Sequence, residues 1–219
     1  MQIRKIYDLS AVLNDHTPVW PGDNHFHFEP RVAIKDGAIC NSSSFSCTVH
    51  LATHADAPRH YVDQGKDLAS VDVLRFIGPA KVRQVLTEDW MITAKDLQKL
   101  DIEEGDRLLL KTGNKGFMKD GVFHREFYCF DLCGAEYLVK KKIRCIGIDY
   151  VSVEKFGTEN GEVHRALLEN EMGILEGLDL DMVPEGDYFL SALPLKMEGS
   201  DGSPVRAVLL EIDNFSESQ

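Results

Sequence analysis

The segment His50–His60 constrains this chain more than any other, because it places three histidines and one carboxylate within eleven residues. Such side chains hold catalytic divalent metals, and a dense group of them is costly unless an ion binds it. Residues 45–49 are rich in β-branched and aromatic side chains, which predicts a strand leading into the segment. In a strand, residues two apart share a face, so we expect His50, His54 and Asp56 to point the same way. The alternative is a set of unrelated surface histidines beside a turn, and we favour the metal site.

The composition is that of an ordinary globular protein. The 219 residues are enough for one substantial core, so we expect a single domain over residues 1–219. The formal net charge of -12 argues against a nucleic-acid-binding or anionic-membrane surface. No stretch approaches the ~20 apolar residues of a membrane span, and the N-terminus lacks the apolar core of a signal peptide. Five cysteines without a C-x-x-C pair fit a reducing compartment, and together these features predict a cytoplasmic protein.

Strand patterns outnumber helix patterns along the chain. Helices are predicted from Thr93 through Leu100, over 132–142, and from Gly161 to Asn170 with Gly173 placed to end the last one. The strands do not alternate regularly with helices, so the fold class is α/β with a mixed sheet. The predicted strands cover residues 3–13, 30–34, 44–51, 80–86, 107–112, 145–149, 188–193 and 205–211.

Two residues of the second half are weaker candidates. His164 lies near the start of a predicted helix, and Glu176 follows in an apolar setting where a carboxylate is expensive unless it is paired or bound to a cation. Taken alone, both residues favour a structural role.

The chain resembles the bacterial metal-dependent kynurenine formamidases and the broader cyclase-family hydrolases. Residues 50–60 look like that family's H-x-G/A-T/A-H-x-D-x-P-x-H signature, with Ala52 where many members have Gly. The segment 149–154 lacks the Thr-Pro that formamidases tend to show there. Further similar blocks run in family order at 20–23, 147–149, 152–153, 174–178, 192–196 and 203–208.

The resemblance implies a site for two divalent ions, most often zinc and in some members manganese. It assigns His50 and His54 to one ion and His164 and Glu176 to the other, with Asp56 bridging the two.

The resemblance also implies a fold, an assembly and two further roles. The fold would be of the swivelling β/β/α type, with a barrel-like β-sheet and flanking helices, assembled into homodimers or homotetramers. His60, the last residue of the signature, would be the catalytic acid/base group rather than a ligand. Trp20 is a candidate wall of the substrate pocket, and simple loop packing is the alternative.

The divalent ions and the free His60 that the resemblance implies together predict hydrolysis of an amide. Divalent ions supply hydroxide near neutral pH and polarise the carbonyl, while a free histidine donates a proton to the departing nitrogen. The substrate that the resemblance implies is N-formyl-L-kynurenine, cleaved to kynurenine and formate. The nearest alternative is the opening of a cyclic amide, as isatin hydrolases do. A non-catalytic metal-binding module is the alternative of another class, although a structural site would not need the free His60.

Overall fold

The computed structural model describes residues 2–213. In that part of the chain the helices are α1 (Ala94–Leu97), α2 (Leu132–Lys140) and α3 (Glu162–Glu169). None of these helices is long and apolar enough to cross a membrane. In chain order the strands are β1 (Ile3–Asp8), β2 (His27–Val32), β3 (Ser42–Ser46), β4 (His54–Asp56), β5 (Ile77–Gln84), β6 (Met91–Ile92), β7 (Arg107–Lys111), β8 (Cys129–Phe130), β9 (Cys145–Ile148), β10 (Gly173–Glu176), β11 (Gly186–Ser191), β12 (Gly202–Pro204) and β13 (Val208–Ile212).

Nine strands form one mixed sheet, which confirms the predicted fold class. Their order is β1-β13-β11-β5-β7-β9-β10-β4-β12. The four central strands β5, β7, β9 and β10 are parallel, and the other pairings are antiparallel. Although the strands do not alternate regularly with helices along the whole chain, they do so at this centre, where α2 precedes β9 and α3 joins β9 to β10. A parallel pair needs such a crossover, since a short turn cannot return the chain in the same direction.

The sheet is curled into a half-barrel, as the connection between its two last strands requires. Strands β12 and β13 are ninth and second in the sheet order, yet only residues 205–207 separate them. In a flat sheet these positions would be about 34 Å apart, at ~4.8 Å per strand. Four extended residue steps reach only about 14 Å. The sheet must therefore curl. Leu9, which follows β1, hydrogen-bonds to the segment before β13 and to the segment after β10: Leu9 N donates to Ala207 O (2.9 Å), and Asp179 N donates to Leu9 O (2.7 Å).

The two faces of the sheet bury separate hydrophobic cores. Strand β7 shows how one segment serves both, because successive side chains of a strand point to opposite faces. Leu109 joins the core inside the curl, whereas Leu108 and Leu110 join the core between the sheet and the helices. All three are fully buried. Burial of each such side chain stabilises the fold by roughly 1.5–3 kcal/mol, so the strands that carry the site are firmly supported.

The predicted strand over residues 44–51 ends earlier than expected. Strand β3 stops at Ser46, and residues 47–53 run through bends before β4 begins. Ala52 takes a left-handed φ of 56° there, which turns the chain at the point where Gly177 crosses it. A Cβ at Gly177 would collide with the Ala52 carbonyl. The shared-face argument therefore holds for His54 and Asp56 but is wrong for His50.

The role predicted for Gly173 is also wrong. Helix α3 already ends at Glu169, and Glu171 provides the left-handed residue (φ 56°) that follows it. Gly173 instead begins β10, a fully buried strand that contains Glu176. Its four residues Gly-Ile-Leu-Glu are too few to show a strand period, so the sequence pattern does not indicate this strand. The helix predicted through Leu100 likewise ends at Leu97.

Candidate metal centre

Strand β4 brings two of the predicted ligands together with a third. It lies between β10 and β12, and its antiparallel register with β10 sets His54 opposite Glu176. His54 and Asp56 are two residues apart, so they share one face of the strand. All three side chains are buried, although carboxylates are rarely buried without a partner. The fold therefore buries three polar side chains where the sequence predicts a metal, although their burial is unfavourable unless a cation or another partner binds them.

One group of ligand atoms surrounds Asp56 Oδ1. His50 Nδ1 lies 2.9 Å from this oxygen and His54 Nε2 lies 3.4 Å from it. His54 Nε2 is also 3.1 Å from Glu176 Oε2. The three residues His50, His54 and Asp56 can each offer one ligand atom within 4.8 Å of the others. The bend at residues 47–53 thus delivers His50 to the site that a continuous strand was expected to reach.

A second group lies on the other side of Asp56. His164 sits in the first turn of α3, where its Nε2 is 3.3 Å from Glu176 Oε1 and 3.8 Å from Asp56 Oδ2. Asp56 therefore presents one oxygen to each group. The five predicted ligands thus lie in one cluster, in which Glu176 contacts both His54 and His164. Their division between two ions stays a prediction.

Two buried atoms of this cluster form no well-oriented hydrogen bond, although one of them lies 3.1 Å from Glu176 Oε2. They are His54 Nε2 and Asp56 Oδ2, one from each group. An unsatisfied buried polar group costs about 1–3 kcal/mol, and more when it is charged. A divalent cation would satisfy both atoms, and the set of imidazole nitrogens and carboxylate oxygens suits zinc or manganese. The residues present therefore fit a metal site.

The cluster binds protons strongly in the protein alone. Burial lowers the pKa of His50, but the carboxylates of Asp56 and Asp201 outweigh it and raise that pKa to about 10. Burial also opposes the charged form of His164, whose pKa is raised to about 10 by Glu154 and Glu176. These imidazoles are held as cations where a metal ion would otherwise place its positive charge.

Two carboxylates that the sequence analysis does not predict contact ring nitrogens of the histidines in this site. Glu154 Oε2 is 2.7 Å from His164 Nδ1, and it also accepts the backbone N–H of His164. Asp201 Oδ2 is 2.9 Å from His50 Nε2 and 3.4 Å from His60 Nδ1. Glu154 is the last residue of the segment 149–154, which resembles the broader cyclase family, and that resemblance is the sequence signal for it. Asp201 stands in a turn-like Gly-Ser-Asp-Gly run that carried none.

His60 lies beside the cluster and faces a cavity. It ends a short 3-10 turn over Pro58–His60, and its ring stacks on His50 with centroids 3.8 Å apart. Its side chain is 26% exposed, compared with 14% for that of His50. His60 is also near enough to Asp201 and His50 to ligate an ion with them, so its separate acid/base role stays a prediction.

The cavity has a volume of about 320 Å³ and opens directly onto the cluster. His50, His60, His164 and Glu176 line it on the cluster side. Trp20 forms part of another wall, where its ring packs against aromatic side chains at centroid distances of 5.3 and 5.1 Å. Trp20 is thus placed to contact a ligand while also serving the packing of its loop.

Comparison with known proteins gives a consistent result. The profile of the protein family described as "Putative cyclase" matches residues 7–155. The kynurenine formamidase of Bacillus cytotoxicus is 35% identical over 209 residues, covering 95% of this chain and 99% of that protein. A solved structure of a potential metal-dependent hydrolase with cyclase activity superposes with a TM-score of 0.83 at 34% identity, covering 95% of this chain and 98% of the other. Isatin hydrolase A from Ralstonia solanacearum shares the fold, with a TM-score of 0.80 at 22% identity and coverage of 95% and 92%.

Proposed function

This chain belongs to the cyclase family, and on that premise we propose that it is a metal-dependent amide hydrolase that cleaves N-formyl-L-kynurenine to kynurenine and formate. The observation that carries the proposal is the shared position of Asp56 between two groups of ligand atoms, each with one buried atom that forms no well-oriented hydrogen bond. This cluster lies beside a cavity that the half-buried His60 also lines.

The proposed ligands divide into two sets. A pair of divalent ions, zinc or manganese, would supply Lewis acidity and an activated water at neutral pH. We assign His50 and His54 to one ion, His164 and Glu176 to the other, and Asp56 to both.

His60 would move the proton that amide cleavage requires. An amine leaves readily only when its nitrogen gains a proton, and an imidazole that is not bound to a metal can supply one. Its ring is held against His50 but stands at the cavity, where a substrate nitrogen can approach it. The aromatic ring of the substrate would pack on Trp20, whose indole lines the same cavity.

The choice of substrate rests on the relatives. The kynurenine formamidases match this chain over nearly its whole length at about 35% identity. The likeness to isatin hydrolase is below 25% identity and supports the fold alone. We therefore prefer the linear formamide, and the cyclic amide serves as a comparison substrate.

We also propose that the chain forms homodimers or homotetramers. The ribbon formed by β2 and β3 exposes large apolar side chains, among them Phe28 and Phe45, at 53% and 61% exposure. A two-stranded ribbon is at best marginally stable alone in water, and a second copy would cover it. Mass determination in solution by light scattering tests this, and a monomer at micromolar concentration would contradict it.

The test of function uses protein loaded with zinc or manganese and three substrates: N-formyl-L-kynurenine, N-formylaniline and isatin. We expect formate release from both formamides, fastest from N-formyl-L-kynurenine, and no release by the matched His54→Ala variant. Preferred opening of isatin would replace the substrate assignment. Metal binding without turnover of any amide would leave only a metal-binding module.

A further inference from the structure

Asp201 contacts two histidines of different proposed roles through a single oxygen. Its Oδ2 lies 2.9 Å from Nε2 of His50 and 3.4 Å from Nδ1 of His60. The two imidazole rings are stacked beside it, with an angle of 25° between their planes. Asp201 is therefore the point at which a proposed metal ligand and the proposed acid/base group are held together.

The backbone fixes Asp201 in this place. Its carbonyl accepts the N–H of Ala57 at 2.8 Å, and the next residue, Gly202, pairs with Asp56 across β12 and β4. Gly202 leaves room for the histidine, because a Cβ there would lie 2.6 Å from Cε1 of the His50 ring. Asp201 is thus attached to the strand that carries the ligands, although it lies far away in sequence.

Each histidine of the site has one ring nitrogen engaged away from the cluster centre. For His54 it is Nδ1, which is 3.0 Å from the Ala52 carbonyl, and for His164 it is Nδ1, beside Glu154. The contact of Asp201 with His50 Nε2 leaves Nδ1 of that ring facing Asp56. A carboxylate behind a metal-binding imidazole fixes both the tautomer and the ring orientation.

We propose that Asp201 is a positioning residue that orients His50 toward a metal ion and, through the same oxygen, His60 toward the substrate. The part that concerns His60 rests on the proposed function, whereas the part that concerns His50 requires only metal binding. Glu154 differs from Asp201, because it contacts only the imidazole of His164 and can therefore orient only that proposed ligand. Asp201 therefore links the metal to the group that transfers the proton.

The test compares Asp201→Ala with wild type, Glu154→Gln and the control Asp63→Ala. Asp63 is an exposed carboxylate near the signature that accepts a hydrogen bond from Gln64. Zinc affinity is measured by competition with a chromogenic chelator, and the number of bound ions is measured at saturation. We expect Asp201→Ala to weaken zinc binding by roughly 10–100-fold without losing an ion at saturation, as loss of a supporting carboxylate does. Asp63→Ala should bind zinc like wild type.

A second readout isolates the effect on His60. Asp201→Ala should lower amide turnover more than turnover of an activated aryl ester, whose leaving group needs no proton. Glu154→Gln should weaken zinc binding but lower both turnovers by the same factor. The near-isosteric Asp201→Asn is tested in parallel, and its melting curve shows whether the variant is still folded.

Two results would overturn the proposal. Wild-type zinc affinity in both Asp201 variants would show that the carboxylate orients nothing. Loss of one zinc ion at saturation would make Asp201 a ligand. Because the zinc measurements need no substrate, they remain decisive even if the protein hydrolyses none of the amides. Nitrogen NMR spectra of the zinc-loaded protein add a direct check, since His50 should bind through Nδ1 and keep its proton on Nε2.

Discussion

Zinc binding should release protons from this protein well above the pH at which an ordinary histidine titrates. The usual histidine pKa is 6.5, so a free imidazole is almost fully deprotonated at pH 8. In this structure burial disfavours the charged form of His50 and His164, but the surrounding carboxylates raise both pKa values to about 10. A metal ion must replace those protons, so its addition at pH 8 should release about one proton at each of the two imidazoles.

The size of the effect follows from the same values. With a pKa of about 10, His50 is almost fully protonated at pH 8, which opposes metal binding by roughly 3 kcal/mol. The same holds for His164 at the second ion. The apparent affinity of each ion should therefore rise about tenfold per pH unit between pH 7 and 9.

The stability of the metal-free protein should change in the opposite direction. Because the folded pKa values of His50 and His164 exceed 6.5, the folded state binds more protons than the unfolded chain between pH 6.5 and about 10. Their stabilising contribution is complete below pH 6.5 and is lost as the pH rises through that window. The rise in melting temperature caused by zinc should grow over the same range.

Calorimetry in two buffers of different ionisation enthalpy measures the proton count directly. Glu154→Gln is the matched control, because it removes a carboxylate that holds the proton on His164, and its count should be lower than that of wild type. A count near zero at pH 8, together with an affinity that stays constant from pH 7 to 9, would refute the reasoning.

Three further predictions concern individual parts of the site. Elemental analysis should find about two ions per chain and one in Glu176→Ala, whereas a single ion in both proteins would refute the two-ion site. A chelator should lower the melting temperature by several degrees, because the ions tie residues 50–56 to residues 164–176 and bind only the native state; an unchanged melt after confirmed metal loss would contradict this. His60→Ala should keep both ions but lose roughly 10²–10⁴-fold in amide turnover and less with activated aryl esters. Loss of metal in that variant would make His60 a ligand, and unchanged amide turnover would place the proton donor elsewhere.

The metal signature could be found in the sequence because its spacing is local. His54 and Asp56 share a face of one short strand, and two-residue periodicity is enough to show it. The mixed sheet could be inferred for a similar reason, since most of its strands carry apolar or alternating patterns of their own. These features depend on neighbours within a few residues.

The rest of the site depends on contacts between distant segments. His50 reaches the cluster through a bend that packs against Gly177, more than a hundred residues further on. Asp201 reaches it because β12 pairs with β4, a pairing that three residues with no strand period could not indicate. Glu154 acts only once α3 brings His164 to it. Such placements follow from the topology of the sheet rather than from any local pattern.

The most direct test of the account is a titration of metal-free protein with zinc in which formate release from N-formyl-L-kynurenine is followed at each step. We predict no turnover without metal, a rate that rises until about two equivalents are bound, and no recovery in His54→Ala at any zinc concentration. Full activity in the thoroughly chelated protein, or an equal rate in His54→Ala, would contradict the claim that this cluster holds the ions on which the hydrolysis depends.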